Sequence, residues 1–191
     1  METYLENLKL QVGNAWRTDE LFVKVSGNMK YLYALMDDET RFWIAQQVSA
    51  TKFTADVRPL FKKAKEVTGK RPNVLISDGA PNFNQAFKDE FFTRRISRSR
   101  HVRHIRLQGD HNNNKIERLN GEVCDREKVM RGLKKVNTSV LPGYQMYHNY
   151  FRPHEGIGNV ISAEKCGIKI EGDNKWVTII QNAKRDEKKN D

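Results

Sequence analysis

Three acidic residues stand where a folded chain could gather them: Asp19 beside a run of strand formers, Asp78 at the end of Val-Leu-Ile-Ser, and Glu117 near the start of an amphipathic stretch. Carboxylates that converge on one point can hold Mg²⁺, a hard ion that prefers oxygen and keeps waters of its own, and a pair of such ions serves phosphodiester cleavage. Each residue also has a plainer reading. Asp19 can be a surface residue beside Glu20, Asp78 a turn former in Ser-Asp-Gly-Ala-Pro, and Glu117 the partner of Asn114 in a capping box. Asp37, Asp38, Asp110 and Asp125 compete for the same role, and spacing alone does not choose among them.

Convergence depends on the elements that carry these side chains. From Trp16 to about Ala50 the aromatic and β-branched runs LFVKV, YLYALM and FWIAQQV read as three strands, joined at Ser26-Gly27-Asn28 and at Asp37-Asp38-Glu39-Thr40 as an antiparallel meander. Phe53, Val57, Leu60, Phe61, Ala64 and Val67 then recur at three and four residues, the period of a helix, which Gly69 and Pro72 close. Pro59 inside it predicts a later helix start or a local kink, because proline has no backbone donor. NVLIS (73–77) is short and continuously apolar, as befits a parallel strand buried on both faces, and it runs into Asp78. A short helix is expected near Asn82 to Phe92, a strand near Val102 to Leu107, and a long helix after an Asn run, with Ile116, Leu119, Val123, Met130 and Leu133 as its apolar stripe and Glu117 beside that stripe. The order β-β-β-α-β-α-β-α predicts an α/β fold, a mixed sheet of three antiparallel strands plus parallel strands flanked by helices, which is the plan of the ribonuclease H fold.

Bulk properties narrow the partner. The 191 residues suit one domain with short appendages. The 34 Lys and Arg against 24 acidic residues give a net charge of +10 and a pI near 9.6, which favours a polyanion such as nucleic acid over a neutral small molecule. METYLENLKL lacks the basic start and apolar run of a signal peptide and no stretch is apolar enough to span a bilayer, so a cytoplasmic, DNA-associated protein without membrane contact is expected. Cys124 and Cys166, far apart and outside any CxxC, are read as reduced structural thiols. The five His show no HxxxH, HExxH or Cys/His spacing, so zinc is not expected. Arg94, Arg95, Arg98, Arg100, Arg103 and Arg106, with His101 and His104 among them, form a cationic run that reads either as a groove for DNA backbone or as a solvated loop. Arg126, Lys128, Arg131, Lys134 and Lys135 add charge along the long helix. Trp16, Trp43, Tyr31 and Tyr33 most simply fill or flank the core.

Four segments taken together, WRTDELFVKVSGNMKYLYALMDDETRFWIA, VLISDGAPNFNQAF, NNNKIERLNGEVCDREKVMRGLKK and YHNYFRPHEGIG, resemble in order the catalytic region of DDE-type insertion-sequence transposases, closest to the insertion sequence six group and its archaeal relatives. The resemblance runs over roughly residues 14–168. In that family the first Asp follows a Trp and opens a strand, the second sits in a Thr/Ser-Asp turn before Ala-Pro, and the Glu begins a helix after an Asn pair. Asp19, Asp78 and Glu117 match these positions, the last two 39 residues apart. The resemblance implies an integrase-core, ribonuclease-H-like domain at 15–155, between an N-terminal remnant or linker at 1–14 and a C-terminal extension at 156–191 whose charged last ten residues are expected to be disordered. It further implies two Mg²⁺ ions, with Mn²⁺ as a substitute, held by Asp19, Asp78 and Glu117, and metal-dependent strand cleavage and strand transfer on double-stranded DNA, both element ends and target, by a homodimer on DNA.

Position 124, where related families carry a basic residue, is Cys, so that phosphate contact falls to Lys128 or Arg118 or to none; Ile161-Ser162-Ala163-Glu164 stands for the family's Thr-Pro-Ala-Glu. Lys115, Arg118, Lys128 and Arg131 join the arginine run as expected DNA-binding residues. Tyr147, Asn149, Arg152, Pro153 and His154 match the terminal motif, in which the Arg is expected to tie the last helix to the sheet; His111 and His154 are weak candidates for phosphate or active-site contacts. Family members carry a separate DNA-binding region before the catalytic domain, and the fifteen residues before Trp16 are too few for one, so an excised catalytic domain or a truncated reading frame is expected. A retroviral-type integrase or ribonuclease H shares fold and metals, and a domesticated fragment that only binds DNA is the non-enzymatic alternative.

Overall fold

A computed structural model describes Tyr4, Leu5 and residues 8–93, 99–103 and 113–190. Strands β1 (Ala15–Val25), β2 (Asn28–Asp37) and β3 (Trp43–Ser49) form the expected antiparallel meander. Ser26 and Gly27 turn the first hairpin with φ of 50° and 82°, the left-handed pair that matches the twist of two-residue hairpins. Helix α1 (Thr54–Thr68) crosses to β4 (Val74–Ser77), α2 (Pro81–Glu90) leads to β5 (Arg100–Arg103), and then come α3 (Asn114–Met130) and α4 (Val140–Tyr150). The sheet order is β3-β2-β1-β4-β5, with β4 parallel to both β1 and β5. This is the mixed α/β sheet the element order predicts.

Period-two alternation splits the sheet between two apolar layers. Trp16, Tyr33, Leu35 and Ile44 face α1 and α2, whose Val57, Leu60, Phe61, Phe83 and Phe87 complete that side. Leu21, Val23, Leu32, Ala34 and Met36 face the other way, against Ile116, Leu119 and Val123 of α3. Each helix therefore buries one stripe and no more.

Several elements depart from their sequence expectation for identifiable reasons. Helix α1 starts at Thr54 with Pro59 inside it, so the start is not delayed. Asp56 secures that start: its carboxylate accepts from the Phe53 N–H at 2.8 Å and from the hydroxyls of Ser49 and Thr51 at 2.5 Å, while Pro59, in the second turn, leaves the Ala55 carbonyl without its helical donor. Strand β5 begins at Arg100, not Val102, and is described as far as Arg103; residues 104–112, with the rest of the expected strand, lie outside the described residues. Leu133 is buried but lies beyond α3, where Arg131 takes a left-handed φ of 56°; its N–H donates to the Lys24 carbonyl at 2.7 Å and fastens the chain to β1. Met130, expected in the apolar stripe, is exposed.

The C-terminal extension joins the first core. β6 (Pro153–His154) pairs with β7 (Val160–Ile161), followed by α5 (Ser162–Lys165), and Ile161, Ala163 and Cys166 pack with Met146 and Tyr150. Helix α6 (Lys175–Asn190) follows, with Trp176 stacked on Phe151 at 3.7 Å and Ile179 and Ala183 buried one turn apart. The apolar stripe is short and the charges between hide it from composition. No helix among the described residues is long and apolar enough to cross a membrane.

The terminal motif has one member that ties helix to sheet, and it is Asn149, not Arg152. The Asn149 amide accepts from the buried Trp43 N–H at 2.8 Å and donates to the Trp43 carbonyl at 2.9 Å, so it continues the edge of β3 as a further strand would. Arg152 instead pairs with Glu122 on α3. An Asn149→Ala change strands the Trp43 N–H in the core and is expected to cost about 2 kcal/mol, read as a lower urea midpoint at constant m-value; an unchanged midpoint would show that the contact contributes nothing.

Candidate active site

The acidic centre is built by strand register. β1 and β4 run parallel with Arg17 opposite Ile76, and two residues further along both chains come Asp19 and Asp78. Asp19 is in mid-strand, held by β2 on its other side, where it faces Ala34. Asp78 is the first residue beyond β4; its carboxylate accepts from the Ala80 N–H at 3.0 Å, and Gly79 supplies the φ of 91° that turns the chain into α2. Strand ends of an open α/β sheet collect ligands in this way. Oxygens of Asp19, Glu20 and Asp78 lie within 4.8 Å of one another.

Helix α3 crosses this edge, seated by Ile116 and Leu119. Glu117 and Asn120, three residues apart and so on one face, overhang β1. The Asn120 amide donates to Asp19 Oδ2 at 2.8 Å. Glu117 is exposed and stands outside the 4.8 Å group, yet its charge is felt at Asp19. Glu20 is paired with Lys52 at 2.5 Å, and its second carboxylate oxygen is buried without a hydrogen-bond partner.

Burial pushes the Asp19 carboxyl up to about 7, and the neighbouring charges of Asp78, Glu20 and Glu117 push the same way against a hydrogen bond from the Glu20 backbone. A buried carboxyl held up by three neighbouring acids is the electrostatic mark of a cation site. The donors are all carboxylate oxygens, with neither thiol nor imidazole in the group, so a hard divalent ion such as Mg²⁺ or Mn²⁺ fits and zinc does not.

The competing carboxylates are accounted for elsewhere. Asp37 is buried and caps its own turn, accepting from the Thr40 hydroxyl at 2.6 Å and N–H at 2.9 Å. Burial would raise the Asp38 carboxyl, but hydrogen bonds from Lys115 and Arg17 outweigh it and hold it below the usual range. Asp125 is exposed beside Lys128, and Asp110 lies outside the described residues.

The expected DNA-binding residues scatter. Arg100 and Arg103 are exposed on edge strand β5, and Arg103 pairs in register with Ser77, next to Asp78. Lys115 is engaged by Asp38 at 2.8 Å, Arg118 reaches Glu155 only at 3.6 Å, and Lys128 and Arg131 are exposed at the far end of α3. Arg94, Arg95, Arg98, Arg106, His104 and His111 lie outside the described residues. Cys124 packs partly against the second core. His101 bonds Ser77 Oγ at 2.9 Å and stacks on Phe87; burial, aided by Arg103, lowers it to about 4, so it is a neutral ring and not a phosphate cation at neutral pH. Asn120 and Glu20 escaped the sequence reading. Asn120 could have been found from its place one helical turn after Glu117; adjacency to Asp19 made Glu20 look like a mere surface neighbour.

Fold and site together set a carboxylate group suited to a hard divalent cation at the strand ends of a ribonuclease-H-like mixed sheet. A family profile for the DDE domain of IS240-type transposases matches residues 13–154, and the chain belongs to this family, whose members are polynucleotidyl transferases. Comparison with curated proteins gave no match. Among solved structures, the magnesium-bound catalytic core of HTLV-2 integrase in its trimeric form superposes with a TM-score of 0.58 at 16% identity, covering 83% of this chain and 99% of that one. Its dimeric form gives 0.55 at 16% identity, over 81% and 95%. A chain of the simian T-cell lymphotropic virus intasome bound to PP2A regulatory subunit B56 gamma gives 0.57 at 16% identity, over 77% of this chain and 52% of that one. At such identities these likenesses establish the fold. The family establishes the transposase class and its use of a divalent metal.

The raised Asp19 carboxyl has a signed consequence. Asp19 holds its proton up to about 7 when folded but only to its ordinary 3.8 when unfolded, so across that window the folded state binds more protons and loses stability as pH rises. His101 and His154, both lowered to about 4, act oppositely over an overlapping range, so the difference between the chain and its Asp19→Asn variant isolates the effect. In EDTA the thermal midpoint of the variant should gain on the parent from pH 4 to 7 and hold level above, and Mg²⁺ should raise the parent's midpoint at pH 8 but not the variant's. Parallel pH profiles, or equal responses to Mg²⁺, would refute the acidic centre as a cation site.

Proposed function

We propose that residues 15–155 form the catalytic unit of the transposase, with Asp19, Asp78 and Glu117 holding two Mg²⁺ ions, or Mn²⁺ in their place, at which double-stranded DNA is cut and joined. The observation that carries this reading is the mutual proximity of Asp19, Glu20 and Asp78 with Glu117 overhanging them, and the strongly raised Asp19 carboxyl that results. Divalent ions bound there would supply an activated water or 3′ hydroxyl and neutralise the leaving oxygen.

The chain's own residues do the positioning. Asn120 fixes one Asp19 oxygen and leaves the other for a cation. Lys52 offsets the charge of Glu20 while leaving one of its oxygens without a partner at the centre's edge. Arg103, across from Ser77, is placed to meet a backbone phosphate that enters along β4. DNA element ends and target are the substrates in this reading, and the working form is a homodimer on DNA, since paired ends need paired centres.

The deciding experiment follows labelled duplex DNA carrying presumed element ends in Mg²⁺, Mn²⁺ or EDTA. Cleavage and joining are expected with either metal and none in EDTA, and Asp19→Asn, Asp78→Asn and Glu117→Gln should each lower the rate on the order of 10³-fold or more while preserving the fold. Retained cutting in Glu117→Gln would remove Glu117 from the centre. Binding without cutting by the parent chain would favour the non-catalytic, domesticated reading.

A further inference from the structure

On the flank of α3 away from the acidic centre lies an open cleft of about 490 Å³, between the helix N-terminus, the β2–β3 turn and the segment around β6. Its cations are Arg41, Lys115, Arg118 and Arg152. Helical spacing separates the two sites: Lys115, Arg118 and Glu122 line the cleft, whereas Glu117 and Asn120 overhang Asp19.

The distribution of partners singles out one residue. Lys115 and Arg17 both bind Asp38, and Arg152 and His148 share Glu122. Arg118 reaches Glu122 at 3.9 Å and Glu155 at 3.6 Å, both long contacts from an exposed side chain. Arg41 has no hydrogen-bonded or ion-pair partner for its guanidinium among the described residues, although it is half-buried. Its guanidinium lies against Gly156, where an added Cβ would stand 3.4 Å from Nη2. The two acids whose charge it feels make no ion pair with it: Asp37 holds Thr40 through Oδ2, and Asp38 already serves two cations. Among the residues that line the cleft, the cations Arg41, Lys115, Arg118 and Arg152 face the acids Glu122 and Glu155. Burial lowers the Arg41 pKa, and the neighbouring Arg17 and Arg118 add to it against the attraction of Asp38 and Asp37. The backbone adds weight, since Arg41 takes a φ of 61°, a conformation usual for Gly or Asn and costly for a long side chain.

We propose that this cleft is a second phosphate-binding site, in which Arg41, assisted by Arg118, grips one backbone phosphate of the DNA whose neighbouring stretch lies at the acidic centre. The proposal rests on the DNA reading above and deepens it: α3 presents carboxylates to the reacting phosphate on one face and guanidinium groups to a non-reacting one on the next. A planar guanidinium with free N–H groups matches a phosphate by paired charge-assisted hydrogen bonds. The site carries no sequence information and sets only the register of the strand.

The test uses the full chain in EDTA, labelled with ¹⁵N-arginine, titrated with inorganic phosphate at constant ionic strength and then with a short random-sequence duplex. The Arg41 Nε–H signal is expected to shift saturably with phosphate and the duplex to displace the phosphate. Arg41→Asn, which suits the left-handed backbone, should weaken phosphate binding about tenfold; Arg118→Gln, at an exposed helix position where misfolding is not at issue, should weaken it severalfold. Unaltered affinity in both variants, or no shift of Arg41, overturns the site. Phosphate that stays bound while the duplex binds elsewhere overturns the DNA backbone as occupant. Glu117→Gln should leave phosphate binding intact, so loss of cutting with phosphate binding retained speaks to the acidic centre alone, and the converse to this cleft alone.

Discussion

The structure turns on like charges held together in the middle of a sheet. Asp19 sits in β1, paired with Ala34 of β2 on one side and two residues past the last β1–β4 pair, Arg17 with Ile76, on the other, so its backbone has little room to yield when Asp78 and Glu20 crowd it. Repulsion of this sort would open a loop; a strand clamped from both sides keeps the acids close and forces the protonation equilibrium to absorb the strain instead. Trp16, fully buried three residues earlier, and the Tyr33 and Leu35 layer beneath β2 are the packing that makes the clamp rigid.

Helix α3 converts that rigidity into function because it belongs to the core and to the surface at once. Ile116, Leu119 and Val123 fix its rotation, and the far end is pinned by Glu127 accepting from the Lys24 N–H at 2.8 Å and by Leu133 on β1. With rotation and translation both set, residues 117 and 120 point toward Asp19, and 115, 118 and 122 point toward the arginine cleft. A turn of the helix by one residue would bury charge in the second core, a penalty that ordinary packing cannot offset.

The fold was largely legible because periodicity reports burial directly: LFVKV alternates, VLIS is continuous, and the helix stripes recur at three and four. What failed was governed by partners distant in sequence. Pro59 is tolerated because Asp56 collects Phe53, Ser49 and Thr51, and nothing in the local pattern announces that anchor. Charge density at the C-terminus concealed the stripe of Trp176, Ile179 and Ala183, which has meaning only against Phe151. Asp19, Asp78 and Glu117 were singled out through the resemblance of their surrounding segments, and Asn120 was within reach one helical turn after Glu117, whereas Glu20 and Arg41 become visible only when the chain is folded.

The position of Glu117 follows from the same electrostatics. Three carboxylates already share one small volume, and each further charge brought into partly buried surroundings costs more than the last, because the dielectric there screens poorly. A fourth acid on the solvent-facing side of α3 stays hydrated and contributes to the field at Asp19 without paying that desolvation penalty. A divalent cation reverses the balance, since attraction to the ion then exceeds repulsion among the ligands. Three acids on the rigid sheet edge and the last on an overhanging helix face thus keep the repulsion within what the packing of β1 can hold.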